Sequence, residues 1–463
     1  MTESSQDEKI KIMTHSEVVD VKGYVGNFDV TIRKKARYVD EDTCTGCGEC
    51  IEKCPRKTDN EWELGLGKRK AIYRPFGQAV PNVPVIDPDI CMYLTKGKCG
   101  VCAKVCPADA VDYEQKDEDI TERFGTIIVA TGFDQFDVSA YEEYGGGRFQ
   151  DVITGLHLER MLEPSGPTGG HVIRPSNHQE AKRVVFIQCV GSRDEAKGMP
   201  YCSRICCMYT AKQAILVKDH IPDSQSYIFY IDIRTPGKGY EEFYKKAQRD
   251  AGAIYIRGRV SKIYKKGDGL IVRGADTLTG EQIEVEADLV VLASAAIPRE
   301  GAKDLAKMLN IPHDTYGFYS EAHPKLQPVE SVTKGVYLAG ACQFPKDVPD
   351  SVATAGAAAI KACSVLSQDE LTIDPKIAYV AADICSGCLN CVQVCPFDAI
   401  RTEVVNGKQV ASIVESLCHG CGNCAATCRT KAANVRGFSD DQIYAQICAP
   451  FATVEEESVE SSK

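Results

Sequence analysis

At 463 residues, with 44% hydrophobic and 26% charged residues, the chain has the composition of a soluble globular protein of roughly two to four domains. Its net charge of −11 argues against non-specific nucleic-acid binding, and no apolar run is long enough to span a bilayer; the longest, Leu289 to Ile297, reads as a buried strand. The opening MTESSQDEKIKIM has no apolar signal core, so a cytoplasmic protein is expected, with its 23 cysteines serving as metal ligands rather than disulfides.

Residues 14–36 read as two short strands joined through Gly23 and Gly26. CTGCGECIEKCP follows, placing Cys44, Cys47, Cys50 and Cys54 in the C-x2-C-x2-C-x3-C-P spacing of bacterial ferredoxins. Three cysteines in a tight loop reach three irons of one cube, and the fourth, on the following helix, reaches the neighbouring cube. Gly46 and Gly48 let backbone N–H groups approach the sulfides, and Pro55 turns the chain away. Zinc is the alternative, disfavoured by the third cysteine and the proline. A second run, Cys91, Cys99, Cys102 and Cys106 before Pro107, opens its first gap to seven residues but keeps the C-x2-C-x3-C-P core. Crossed ligation pairs Cys44, Cys47, Cys50 and Cys106 on one cube, and Cys54, Cys91, Cys99 and Cys102 on the other. The basic, aromatic GLGKRKAIYRPFGQAVPN between them is a solvated strand and loop, or a surface for an acidic partner.

From Phe124 the pattern changes. GTIIVATGFD reads as a buried strand of β-branched residues ending at Ala130, Thr131 and Gly132. Such strands recur where two-domain flavoproteins connect their FAD and second-nucleotide domains, although a core strand ending in glycine is common anyway. Val184 to Ile187 reads as another buried strand, and a helix begins near Cys207. In a dinucleotide-binding fold the turn between them carries glycines that admit a pyrophosphate. Here it carries Cys189, Cys202, Cys206 and Cys207, and only Gly191. The C-x12-C-x3-CC spacing is neither a zinc ribbon nor the ferredoxin run. An iron–sulfur cluster, a redox disulfide and a set of small buried core residues are the three readings.

Ser226 to Arg234 reads as a strand, GYEEFYKKAQRDAG as an amphipathic helix ended by Gly252, and IYIRGRVSKIYKK and LIVRG as further strands. This alternation implies a parallel sheet, which Ala287 to Pro298 leaves. In Gly335 to Ala362 a strand ends at Gly340, a loop with Ala341 and Cys342 follows, and a helix starts near Ser351 with Asp350 as N-cap. Its small residues suit a closely packed core helix, or one whose N-terminus, at Ser351, Val352 and Ala353, meets a flavin ring and stabilises negative charge there. A second ferredoxin-type module supplies Cys385, Cys388, Cys391 and Cys395, then Cys418, Cys421, Cys424 and Cys428, with Arg429 replacing the last proline. Cys342, Cys363 and Cys448 are left without a place in any ligand set, and the closing VEEESVESSK reads as an acidic, disordered tail.

Taken together, SEVVDVKGYVGNF, GLGKRKAIYRPF, FIQCVGSRDE, YCSRICCMY, YLAGACQFPKDVPDSVATAG and both ferredoxin modules resemble the A-type subunit of heterodisulfide reductase, the flavin and iron–sulfur subunit of methanogens and other anaerobes. The resemblance implies that Cys189, Cys202, Cys206 and Cys207 hold a [4Fe-4S] cluster close to the flavin. It implies that Lys212 and Glu159 lie near the flavin ring, where their charges tune it, and that the cofactors are five [4Fe-4S] clusters and FAD. Full-length members of that family carry an N-terminal FAD-binding strand–turn–helix with G-x-G-x-x-G, and this chain starts after it. FAD is therefore expected to be shared with, or dependent on, a polypeptide supplying the missing FAD-binding half.

The expected fold is α/β: a thioredoxin-reductase-like two-domain flavoprotein fold with an incomplete FAD domain and two inserted or appended α+β ferredoxin-like 2[4Fe-4S] modules. The expected segments are a flavin-domain remnant (1–37), a ferredoxin module (38–115), an FAD-domain segment (116–176) and a Rossmann-like subdomain with the unusual cysteine turn (177–297). The C-terminal part of the FAD domain (298–372), the second ferredoxin module (373–437), and a helix and acidic tail (438–463) follow. The expected function is electron transfer in a heterodisulfide-reductase-like complex. Flavin-based bifurcation or confurcation would link a hydrogenase- or formate-linked donor, ferredoxin, and a disulfide or acyl-CoA acceptor. Expected partners are B- and C-type subunits, a small subunit linked to hydrogenase or formate dehydrogenase, and ferredoxin, with no nucleic acid and no membrane span. The alternative is a non-catalytic polyferredoxin-like wire on a degenerate flavoprotein fold. A self-sufficient NAD(P)H reductase is disfavoured, because the turn after Ile187 lacks a nicotinamide fingerprint.

Overall fold

The computed structural model describes residues 2–197, 199–372 and 375–460, the last ten as backbone only. Strands β1 (Ser16–Tyr24) and β2 (Asn27–Lys34) form an antiparallel hairpin. Its turn requires glycine: Gly23 has φ 99°, and a Cβ there would stand 2.0 Å from the Asn27 carbonyl oxygen. Strand β3 (Glu118–Phe124) pairs with β2 from Phe28↔Phe124 to Lys34↔Glu118. Residues 35–117 are thus an excursion from a continuous sheet, and they carry the first two cysteine runs.

Strand β4 (Ile127–Val129) is shorter than expected, so Ala130, Thr131 and Gly132 lie beyond its end rather than within it. Strand β5 (Val152–Thr154) leads into helix α1 (Gly155–Leu162) through a capping box between Thr154 and His157. Then come β6 (Arg183–Val190), α2 (Cys206–His220), β7 (Gln225–Tyr230), α3 (Tyr240–Arg249), β8 (Ile254–Arg257) and β9 (Leu289–Ser294). The five strands form one sheet in the order β5-β9-β6-β7-β8, every pair parallel. Strands β6 and β9 are apolar along most of their length because both faces are covered. Leu158, Phe186, Val217 and Val291 pack on the helical side, and Val185, Phe229, Val272 and Leu292 on the other.

Several boundaries differ from expectation. Strand β6 runs past Ile187 to Val190, and its pairing register shifts between those residues, so Cys189 sits at a bulge with φ 60°. Strand β7 ends at Tyr230, leaving Asp232 and Arg234 in the loop beside the cysteine turn. Helix α2 begins at Cys206, one residue before Cys207. The segment after β8 leaves the parallel sheet: Val260–Lys266, Gly269–Ala275 and Gln282–Ala287 pair antiparallel, because short turns join them instead of crossover helices.

Strand β10 (Val336–Leu338) pairs in parallel with β4 and ends before Gly340, which opens a 3₁₀ turn to Cys342. Helix α4 (Val348–Leu366) starts three residues before Ser351, because Asp347, not Asp350, is the N-cap; its carboxylate accepts the Asp350 N–H at 2.9 Å. In the second module Ala378–Val380 pairs with Ala433–Val435. A helix over Asp440–Glu460 takes in most of the tail expected to be disordered, since its Ala, Gln and Glu are good helix formers; residues 461–463 lie outside the described residues. No helix among the described residues is long and apolar enough to cross a membrane.

Candidate metal centre

Four thiols meet at the carboxyl end of β6, the central strand, where open parallel sheets bind their ligands. Cys189 comes from the bulge, Cys202 from the loop, and Cys206 and Cys207 from the first turn of α2. Cys206 donates to its neighbour, and that bond, with burial, holds its thiol well above the usual range. Cys207 accepts it, takes a further N–H from Arg234, and falls to about 7. Burial and the Cys207 charge push Cys189 up to about 11, against the pull of the Arg193 guanidinium.

Buried polar atoms without partners gather around this turn: both amide atoms of Gln188 and the hydroxyls of Tyr209, Thr210 and Ser294. Tyr209, fully enclosed, lies within the field of Cys206, Cys207 and Glu159. Each unmet buried group costs on the order of 1–3 kcal/mol. A [4Fe-4S] cube fits this donor set, since it takes four thiolates and its sulfides accept hydrogen bonds. A single zinc would draw its thiolates to within about 4 Å of one another, and no group of three or more ligating side chains among the described residues could hold one ion. The cysteines are free thiols.

The ferredoxin-type modules group their cysteines across runs. Cys54, Cys91, Cys99 and Cys102 line one hollow, and Cys50 is raised to about 11 by burial and then by Cys102, Cys44 and Cys47. In the second module Cys395, Cys418, Cys421 and Cys424 share a hollow, while Cys388 feels Cys428, and Cys391 feels Cys385 and Cys388. Backbone N–H groups reach the sulfurs: Ala110 donates to Cys106 at 3.3 Å and Ala433 to Cys428 at 3.4 Å.

On the other side of the turn, Gly340 donates its N–H to Thr354 Oγ1 at 3.0 Å, and the largely buried Lys346 Nζ bonds the Gly340 carbonyl at 3.0 Å. Ala130, Thr131, Val352 and Ala353 are exposed, Ser351 is half-buried, and Ala341 is buried. Cys342 turns away from that surface: its thiol donates to the Val129 and Ala339 carbonyls at 3.2 Å, so only its backbone can face a ligand.

Arg204 joins the two halves. It stands between Cys202 and Cys206 at φ 59°, with Nη2 3.0 Å from Asp350 Oδ2 and its guanidinium 5.4 Å from the Phe344 ring. Tyr240 adds a second tie by donating to Asp347 at 2.7 Å. Lys212 and Glu159 meet each other at 2.7 Å, bridging α2 and α1, with Gln213 donating to the second carboxylate oxygen at 2.8 Å. Among the described residues no hydrogen bond or ion pair links this pair to Ala130–Gly132 or to α4. Arg204 and Tyr209 were not expected from the sequence. A charged residue inside a ligand spacing was the available signal for the first; nothing in the sequence marked the second.

A 4Fe-4S dicluster domain model matches residues 377–429, and a 4Fe-4S binding domain model matches residues 37–58. The A-type iron–sulfur subunit of CoB–CoM heterodisulfide reductase from Methanocaldococcus jannaschii is 49% identical over 449 residues, covering 96% of this chain and 68% of its own length. A protein of the same description from Methanopyrus kandleri is 50% identical, covering 99% of this chain and 69% of its own length. The A-type subunit of the H2:CoB-CoM heterodisulfide,ferredoxin reductase of Methanothermobacter thermautotrophicus is 48% identical over 87% of this chain and 60% of its own length. Among solved structures, thioredoxin reductase of T. acidophilum aligns with a TM-score of 0.34 and 19% identity, over 54% of this chain and 67% of that one.

Proposed function

This chain belongs to the family of A-type heterodisulfide reductase subunits, and on that premise we propose that it is an electron-transfer subunit carrying five [4Fe-4S] clusters and FAD. The observation that carries the reading is the contact between the four-thiol turn and the first turn of α4, made by Arg204 and Asp350 at 3.0 Å. Bound FAD would supply the exchange between two-electron and one-electron chemistry. The chain's own residues hold, orient and insulate. Cys189, Cys202, Cys206 and Cys207 grip one cube where a related fold would grip a pyrophosphate. Tyr209, Thr210 and Gln188, buried without partners, would offer donors to its sulfides, and the packed sheet ends exclude water. Ala130–Gly132, the backbone of Gly340, Ala341 and Cys342, and Ser351, Val352 and Ala353 would hold the flavin. There the dipole of α4 favours negative charge, and the Lys212–Glu159 pair sets the field near the ring.

The remaining sixteen cysteines hold two cubes in each ferredoxin-type module, the entry and exit points for electrons. In a cytoplasmic complex with B- and C-type subunits, the chain links a hydrogenase- or formate-linked donor, ferredoxin, and a disulfide- or acyl-CoA-reducing partner, by bifurcation or confurcation at the flavin. Anaerobic metal and flavin analysis of the assembled complex tests this: about 20 iron per chain, with FAD in equal amount, is expected. About 16 iron removes the four-thiol cube, and full iron without flavin reduces the chain to a wire.

A further inference from the structure

The two ferredoxin-type modules present the same cube edge to different surroundings. Counting from matching cysteines, Arg56 and Lys57 of the first module stand where the second has Phe397 and Asp398, and Lys104 stands where it has Ala426. The seven-residue gap between Cys91 and Cys99 adds Lys96 and Lys98, carried by the short helix Met92–Lys96 and the left-handed turn at Gly97 (φ 62°). The second module has only His419 and Gly420 between its cysteines there. All five cations are exposed, as is Cys99, and Arg56 lines the hollow that Cys99 shares with its fellow ligands. Among the described residues none of the five has a carboxylate partner. Five uncompensated positive charges around one cube edge, on a chain of net charge −11, form a local field that attracts an anionic surface. On the corresponding edge of the second module Cys421 is also exposed, but no lysine or arginine stands at the matching positions, and its aromatic side faces the body. Phe397 stacks on His419 at 4.1 Å, and both line a cavity with Gly23, Val25 and Lys334 of the body.

We propose that the edge of the first module around Cys99 is the docking surface for a small acidic electron-carrier protein. The inference rests on the proposed function, because it needs the cube that Cys54, Cys91, Cys99 and Cys102 would hold. One electron crosses: the reduced carrier is oxidised, the cube is reduced, and no proton or bond moves. The cations shorten the search by orienting the carrier's acidic face, which raises the encounter rate without adding contacts.

The test is anaerobic stopped-flow mixing of the cluster-loaded full chain with a reduced 2[4Fe-4S] ferredoxin of net negative charge. The second-order rate constant should fall about tenfold or more from low to high salt. In the variant Lys96→Gln, Lys98→Gln, Lys104→Gln the low-salt rate should fall by about tenfold and its salt dependence flatten. Neutralising Lys262 and Lys265, on the antiparallel sheet, should leave the rate unchanged. Dithionite reduction of the variant should match the parent, which shows that its cubes are intact. If dithionite reduces no cluster in the parent, the functional reading falls and the docking surface with it. An unchanged carrier rate in a variant with intact cubes overturns the docking surface alone. Tighter binding to a nucleic-acid oligonucleotide than to the ferredoxin does the same.

Discussion

The two ferredoxin-type modules share a ligand pattern and differ in what their thiols touch. In the first, the Tyr113 hydroxyl lies 2.8 Å from Cys102 Sγ, and its ring stacks on Tyr93 at 3.9 Å. Seven residues past the last cysteine, the second module has Val435 in the place of Tyr113, buried and without a hydroxyl to offer. Spacing decides which irons a cysteine can reach. The residues beside it decide how much negative charge the reduced cube can bear, because a donor to a ligating sulfur favours the reduced state. Two copies of one motif can therefore sit at different potentials.

Removing iron should have the largest effect. The modules count Cys50, Cys54, Cys91 and Cys102, or Cys385 and Cys424, among their few buried residues, whereas the parallel sheet packs on Val, Leu, Ile and Phe. Anaerobic chelation should therefore unfold both modules and leave the sheet protected, as read by hydrogen exchange; modules that stay protected without iron would break the comparison. Next, Cys206→Ala should abolish flavin-to-cluster transfer while both modules keep their spectra, and normal turnover in that variant would favour a structural role for the turn. Cys54→Ala should disturb the same cube as Cys99→Ala, not the one holding Cys44; paramagnetic resonance showing the reverse would refute crossed ligation. Tyr113→Phe should lower the midpoint potential of the Cys102 cube, by about 1 kcal/mol per electron, with no shift from Val435→Phe in the other module. The smallest effect falls outside both modules: Asp347→Ala should cost about 1 kcal/mol through the lost cap of α4, seen in thermal unfolding with iron content unchanged.

Much of the metal chemistry is legible in the order of residues. Ferredoxin ligation is local: three cysteines within one loop and a fourth one helical turn on are set by backbone geometry, so their spacing carries them. The parallel sheet was also readable, since strands covered on both faces are apolar throughout, as Val184–Ile187 and Leu289–Leu292 are. Boundaries were less so. Asp350 and Asp347 are both capable N-caps, and only the closing of the loop after Cys342 selects Asp347.

What the tertiary structure alone decided is which distant groups meet. Arg204 and Asp350 are far apart in the chain, and nothing local tells either that it will find an opposite charge at 3.0 Å. Lys212 and Glu159 were placed beside a flavin by resemblance, but their pairing with each other comes from the packing of α1 on α2. Likewise, the sequence shows that Lys96, Lys98 and Lys104 flank cysteines, but only the fold leaves that edge open while it turns Phe397 and His419 toward the body. The reason is range: ligand spacing and strand patterning act over a few residues of backbone, while charge pairing and exposure depend on surfaces assembled from segments hundreds of residues apart.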